Sequence, residues 1–169
     1  ILAMDWIDGD TLETLMSEAV PQATRNAVAR TLHELLFREL FEFGFMQTDP
    51  NSANYLYLPA TGQLALLDLG SACEYRKDFV EHYRQVCRAV IARDRAGIRE
   101  AAFAIGYASP EDPEEMVRGT VEIMELVCEP LAHRGPYDFA NSGLIGRARD
   151  LGLALAFRGG LRSPPPETI

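Results

Sequence analysis

Two aspartates and an asparagine in one short stretch have the chemistry to hold a phosphate-bound cation. Asp49 and Asn54 stand five residues apart in QTDPNSAN, and Asp68 follows in LLDLG. Their side chains offer hard oxygen donors, the kind that magnesium takes alongside water and substrate phosphates. The same residue types are also common turn-formers. Asp49 could simply start a turn, Asn54 could cap it, and Asp68 could end a strand before Gly70. The combination favours chemistry: an apolar helix precedes the loop, a hairpin separates Asn54 from Asp68, and an Asp-x-Gly turn closes the segment.

The elements that must position these residues are legible around them. Residues 22–43 contain no Gly or Pro, and Val28, Leu32, Leu35, Leu36, Phe41 and Phe43 recur near helical spacing until Gly44. MQTDPNSA reads as loop, and NYLYL and QLALLD as two strands joined through Pro59 to Gly62. No third strand is expected after Asp68. Upstream, ILAMDWIDG reads as a buried strand ending in an Asp8-Gly9 turn; Asp10 or Thr11 then caps a short helix, TLETLMSEA, closed by Pro21. From Asp78 onward the pattern is helical. DFVEHYRQVCRAVIAR carries Phe79, Tyr83, Val86 and Val90 on one stripe, with Asp78 as its cap. DRAGIREAAFAIGY ends at Gly106, acid-rich SPEDPEE leads into a helix through Met116 to Val127, and a last helix covers about residues 143–157. The fold class is α+β, predominantly helical, a strand and hairpin beside a helical body.

This order matches the catalytic half, or C-lobe, of the protein-kinase fold. There a loop aspartate handles the nucleophile's proton, an asparagine five residues on holds magnesium, and an aspartate in the turn after a hairpin holds the metal that bridges the nucleotide phosphates. MDWIDGDTL resembles the kinase hinge, which places Met4, Asp5 and Trp6 near the adenine.

QTDPNSANYLY, LALLDLGSACEYRKDF and ELLFRELFEFGF resemble the UbiB-type (ABC1-like) atypical kinase family, in its mitochondrial coenzyme Q branch. The resemblance runs from about residue 1 to 107 and continues more weakly to PPPET, with the densest match over residues 37–77. It implies Asp49 as the catalytic-loop aspartate and Asn54 and Asp68 as magnesium ligands. It also implies Mg2+ and ATP as cofactors, ATPase activity in support of ubiquinone biosynthesis, and a mitochondrial location. Coenzyme Q biosynthesis proteins or lipid and quinone intermediates are the implied partners. Gln47-Thr48 stands where ordinary protein kinases carry His-Arg, and the short segment between Asp68 and Asp78 leaves little room for a phosphorylated activation loop.

A kinase small lobe also needs a phosphate-pairing lysine. Lys77, the sole lysine, lies downstream of Asp68, and the family's Lys-x-Gly-Gln signature is missing from these residues. The expectation is therefore a C-lobe fragment without its N-lobe: residues 1–163 as the lobe, with 1–9 as hinge strand and linker and 164–169 as a truncated tail. Alone it should bind nucleotide weakly and turn over negligibly. Two other functions fit the same ligands: a pseudokinase-like, nucleotide-dependent assembly module, and a small-molecule phosphotransferase of the aminoglycoside or choline kinase type. The latter usually carries a histidine before the catalytic aspartate and a second acid in the metal turn, where this chain has Gln47-Thr48 and Leu69-Gly70.

Composition sets outer bounds. The 169 residues are 47% hydrophobic and 24% charged, the balance of a globular domain, and the net charge of -9 argues against nucleic acid or an anionic membrane surface. No apolar run is long enough to span a bilayer. Cys73, Cys87 and Cys128, widely spaced, read as reduced thiols, and His33, His82 and His133 as structural. Phe37, Phe41, Phe43 and Phe45 read as core packing beneath the loop, and Tyr137, Asp138 and Phe139 as a loop anchor.

Overall fold

The structure, a computed structural model, describes residues 5–49 and 51–157. It is mostly helical with two small antiparallel sheets, an α+β arrangement, and divides into two compact units, Ile1–Arg76 and Lys77–Ile169.

The first unit opens on β1 (Asp10–Thr11) and α1 (Leu12–Leu15), where Thr11 Oγ1 accepts from the Thr14 backbone N–H as an N-cap. Helix α2 (Gln22–Arg38) follows Pro21 and runs into a π-helical turn, Glu39–Phe43. Gly44 ends it at φ 63°, the left-handed conformation that a helix C-terminus assigns to glycine. Next come β2 (Phe45–Gln47), a 3-10 turn (Ser52–Asn54), β3 (Tyr55–Leu58), β4 (Gln63–Leu66) and β5 (Ala72–Glu74). One sheet has the order β1-β3-β4; the other pairs β2 with β5.

Several expectations need correction here. Residues 5–9 form no strand: Asp5 and Trp6 are exposed, Trp6 at 91%, and the first strand among the described residues begins at Asp10. Met4 lies outside the described residues, as does the tail from 158. A third pairing does follow Asp68, because β5 meets Phe45–Gln47, of which Met46 and Gln47 read as loop. Such three-residue strands leave no alternating pattern long enough to detect. The four phenylalanines split: Phe37 and Phe41 are half-buried and stacked, with centroids 6.0 Å apart, whereas Phe43 and Phe45 are exposed.

The second unit holds the larger core. Helices α3 (Lys77–Ala92), α4 (Arg95–Ile105) and α5 (Glu114–Val127) bury Val86, Val90, Ile98, Ala102, Val117 and Val121, with Ile98 and Val117 sealed completely. Asp94 caps α4 through the Gly97 N–H, and Gly106 closes it at φ 97°. The short α6 (Glu129–Ala132) and α7 (Leu144–Phe157) complete the unit. The Tyr137 hydroxyl donates to Glu129 Oε1 at 2.7 Å, and Arg147 joins the same carboxylate at 2.9 Å, so the anchor read at Tyr137 fastens the start of α6 to α7. No helix among the described residues is long and apolar enough to cross a membrane.

Candidate functional site

Asp49 and Asn54 are brought together as their spacing suggests. The chain turns through the 3-10 segment, and Asn54 Nδ2 donates to Asp49 Oδ2 at 3.1 Å and to the Asp49 carbonyl at 3.5 Å. Asp49 Oδ1 accepts from the Asn51 N–H at 3.2 Å, so both carboxylate oxygens are oriented from within the loop. Asn51 in turn caps the turn by accepting from the Ala53 N–H at 3.0 Å.

The hairpin supplies the third residue. Tyr55 pairs with Leu66 at its open end, and the Leu67 N–H donates to the Asn54 carbonyl at 2.8 Å. That bond continues the ladder by one step and delivers the next residue, Asp68, back to the loop's side of the sheet. Asp68 Oδ1 accepts from the Gly70 N–H at 2.7 Å, an Asx turn that fixes the carboxylate against its own backbone.

Gln47 joins the two turns. Its Oε1 accepts from the Asp49 N–H at 3.0 Å while its Nε2 donates to the Asp68 carbonyl. The side chain is buried, one of three polar or charged residues so placed among those described. Beside it the Thr48 hydroxyl and backbone N–H both donate to the Ser71 carbonyl. Asp49 and Asn54 are half-buried and Asp68 is exposed, a gradient from protein to solvent across the site.

Sequence reading missed Glu39. It sits in the π-helical turn at 9% exposure, and burial pushes its carboxyl above the ordinary carboxylate range, opposed by the Gln47 backbone N–H. Tyr55 lies in the field of Glu39 and Asp49; burial first, then those charges, raises its phenol. The signal available was a glutamate inside an apolar helical run, but its burial depends on where the π turn places it.

The donor set suits a hard cation. Among the described residues, Asn54 Oδ1 and Asp68 Oδ2 accept no protein hydrogen bond, so each retains an oxygen for coordination. No group of three or more His, Cys, Asp or Glu placed to hold a metal ion converges among the described residues. Sparse carboxylate and amide donors are what magnesium accepts when phosphates and water fill the other positions.

The ABC1 atypical kinase-like domain matches residues 1–102. The chain is 33% identical over 168 residues to the mitochondrial atypical kinase COQ8B of Rattus norvegicus, covering 99% of this chain and 31% of that protein. It is 30% identical over 171 residues to the mitochondrial atypical kinase COQ8 of Schizosaccharomyces pombe, covering 99% of the chain and 27% of that protein. The corresponding Saccharomyces cerevisiae protein is 32% identical over 173 residues, with 99% of the chain and 33% of that protein covered. The chain thus spans about a third or less of these relatives, and all three are mitochondrial by name, as the family resemblance implied. With the family domain matched over more than half its length, this chain belongs to the ABC1 atypical kinase-like family.

Proposed function

We propose that this chain is the magnesium- and nucleotide-binding C-lobe of an atypical kinase or ATPase that acts in coenzyme Q biosynthesis. The observation that carries the proposal is the hairpin's return: Asn54, hydrogen-bonded to Asp49, accepts from Leu67, so Asp68 arrives next to the pair. In this reading Asp49 orients the nucleophile and accepts its proton, with Asn51 and Asn54 holding the carboxylate in place. Asn54 Oδ1 and Asp68 Oδ2 would hold Mg2+, which supplies neutralisation of phosphate charge when bound. Met4, Asp5 and Trp6 would face the adenine. The acceptor, the turnover of the whole protein and its coenzyme Q role extend the same proposal; they draw support from the names of the mitochondrial COQ8 relatives.

Asp68→Asn tests the metal assignment, because asparagine keeps an oxygen for the Gly70 N–H but replaces the other carboxylate oxygen with an NH2 and removes the charge. Titration with Mn2+ and ATP should show affinity at least about tenfold weaker than in the unsubstituted chain. The unfolding midpoint should stay nearly constant. Equal affinity in the two proteins would rule out Asp68 as a ligand. Nucleotide binding without hydrolysis, in a chain extended to the length of its relatives, would instead favour the assembly-module reading.

A further inference from the structure

In kinases generally, the loop after the metal aspartate is ordered by phosphorylation, through new pairs between arginine and the phosphorylated residue. Here that turn is tied from the other side. Gln47 and Thr48 are consecutive, and each donates to a carbonyl of the turn: Gln47 Nε2 to Asp68 and Thr48 Oγ1 to Ser71. The Thr48 backbone N–H adds a second bond to Ser71 at 3.3 Å, and β2 pairs with β5 directly behind, Gln47 opposite Ala72. The turn is therefore held at both ends, residues 68 and 71.

The Gln47 amide is used at both of its ends. A backbone carbonyl can only accept and a backbone N–H can only donate, so the partners fix which way the amide points. One side chain thus sets the distance between the backbone of Asp49 and the backbone of Asp68. Burial at 7% exposure keeps water from competing for either bond.

We propose that Gln47 and Thr48 are positioning residues that lock the Asp68 turn onto the Asp49 loop permanently, so that the metal site is assembled without phosphorylation of the following segment. The lock is a statement about backbone order. Its purpose rests on the proposed metal role of Asp68.

Gln47→Glu divides the clamp in half. A glutamate carboxylate still accepts from the Asp49 N–H but cannot donate to the Asp68 carbonyl. Thr48→Val preserves shape and removes only the hydroxyl bond to Ser71. Amide hydrogen exchange should show Gly70 and Ala72 exchanging about tenfold faster in Gln47→Glu, with Asp49 protection retained. Thr48→Val should loosen Ala72 and leave Asp49 unchanged. Amides of Val28, Ile98 and Val117 should keep their wild-type rates in both. Mn2+·ATP affinity should fall about 10- to 100-fold in Gln47→Glu. Unchanged Gly70 and Ala72 exchange in both variants overturns the lock. So does a loss of protection that spreads to Val28, which would make Gln47 a residue that maintains the fold as a whole. If the unsubstituted protein binds no Mn2+·ATP, the nucleotide reading fails, and the exchange pattern still decides the lock. Incorporation of phosphate into residues 71–75 as a requirement for Mn2+·ATP binding would also overturn the proposal.

Discussion

Glu39 and Asp49 are both carboxylates of one small region, but their surroundings give them different roles. Asp49 is half-buried and accepts from Asn51 and Asn54. Glu39 is buried in the π-helical turn, where desolvation favours its protonated form over the Gln47 N–H that favours the charge. The sign of its linkage follows. A folded-state pKa above the ordinary 4.5 means that the folded protein holds a proton which the unfolded chain has lost. Glu39 therefore contributes stability that is complete below pH 4.5 and declines as pH rises through its raised value. Glu39→Gln keeps an acceptor for the Gln47 N–H and removes the titration. Denaturant midpoints measured from pH 4 to pH 7 should decline less in Glu39→Gln than in the unsubstituted chain, and parallel curves would contradict the assignment.

At the scale of elements, the site depends on strands too short to stand alone. β1 has two residues and β2 and β5 three each, so their geometry comes from what they pack against. Gly9 lets the chain come close to β3: a Cβ there would meet the Tyr57 carbonyl oxygen at 2.8 Å and Leu56 Cβ at 3.2 Å. Backbone oxygen cannot swing aside as a side-chain tip can. Gly9→Ala should therefore push Asp10 and Thr11 away from Tyr57 and Leu56, their register partners, and destabilise the protein by about 1–3 kcal/mol. Thermal unfolding checks the loss, and faster exchange of the β3 amides facing β1 locates it. Gly62, whose added Cβ would meet nothing within 4 Å, is the comparison for clash, although its φ of 70° carries backbone strain of its own.

At the scale of the whole molecule, the candidate site and the largest buried core fall in different units. Asp49, Asn54 and Asp68 belong to the first; the sealed cluster around Ile98 and Val117 belongs to the second. Ile98→Ala leaves a void among Val90, Ala102, Val117 and their neighbours, and truncations of this kind cost about 2–5 kcal/mol. The unfolding midpoint should fall accordingly, whereas Mn2+·ATP affinity of the remaining folded protein should be unchanged, because the void lies in the second unit and the candidate site residues in the first. An affinity loss that parallels the stability loss would show the units to be energetically coupled. The second unit also shields its thiols: burial, with the neighbouring Cys87, pushes Cys128 up to about 11, so alkylation at neutral pH should proceed first at exposed Cys73.

The sequence by itself determined the helices, the hairpin and the identity of the family. Those depend on local features: apolar spacing along residues 22–43, glycine at 44 and 106, turn chemistry at 59–62, and residue types at fixed short separations. The pairing of Asp49 with Asn54 was legible for the same reason, since five residues span one turn. Tertiary structure decided what has no local period. The three-residue pairing of β2 with β5 joins positions 25 to 29 residues apart, from Gln47 with Ala72 to Phe45 with Glu74, too short to carry a pattern and fixed only by long-range contact. Gln47 is polar and looks like an ordinary loop residue until Asp49 and Asp68 are both within reach of its one amide. Glu39 and Phe43 reverse the expectation from composition, the glutamate buried and the phenylalanine exposed, because the π turn rotates the end of α2 away from its earlier face.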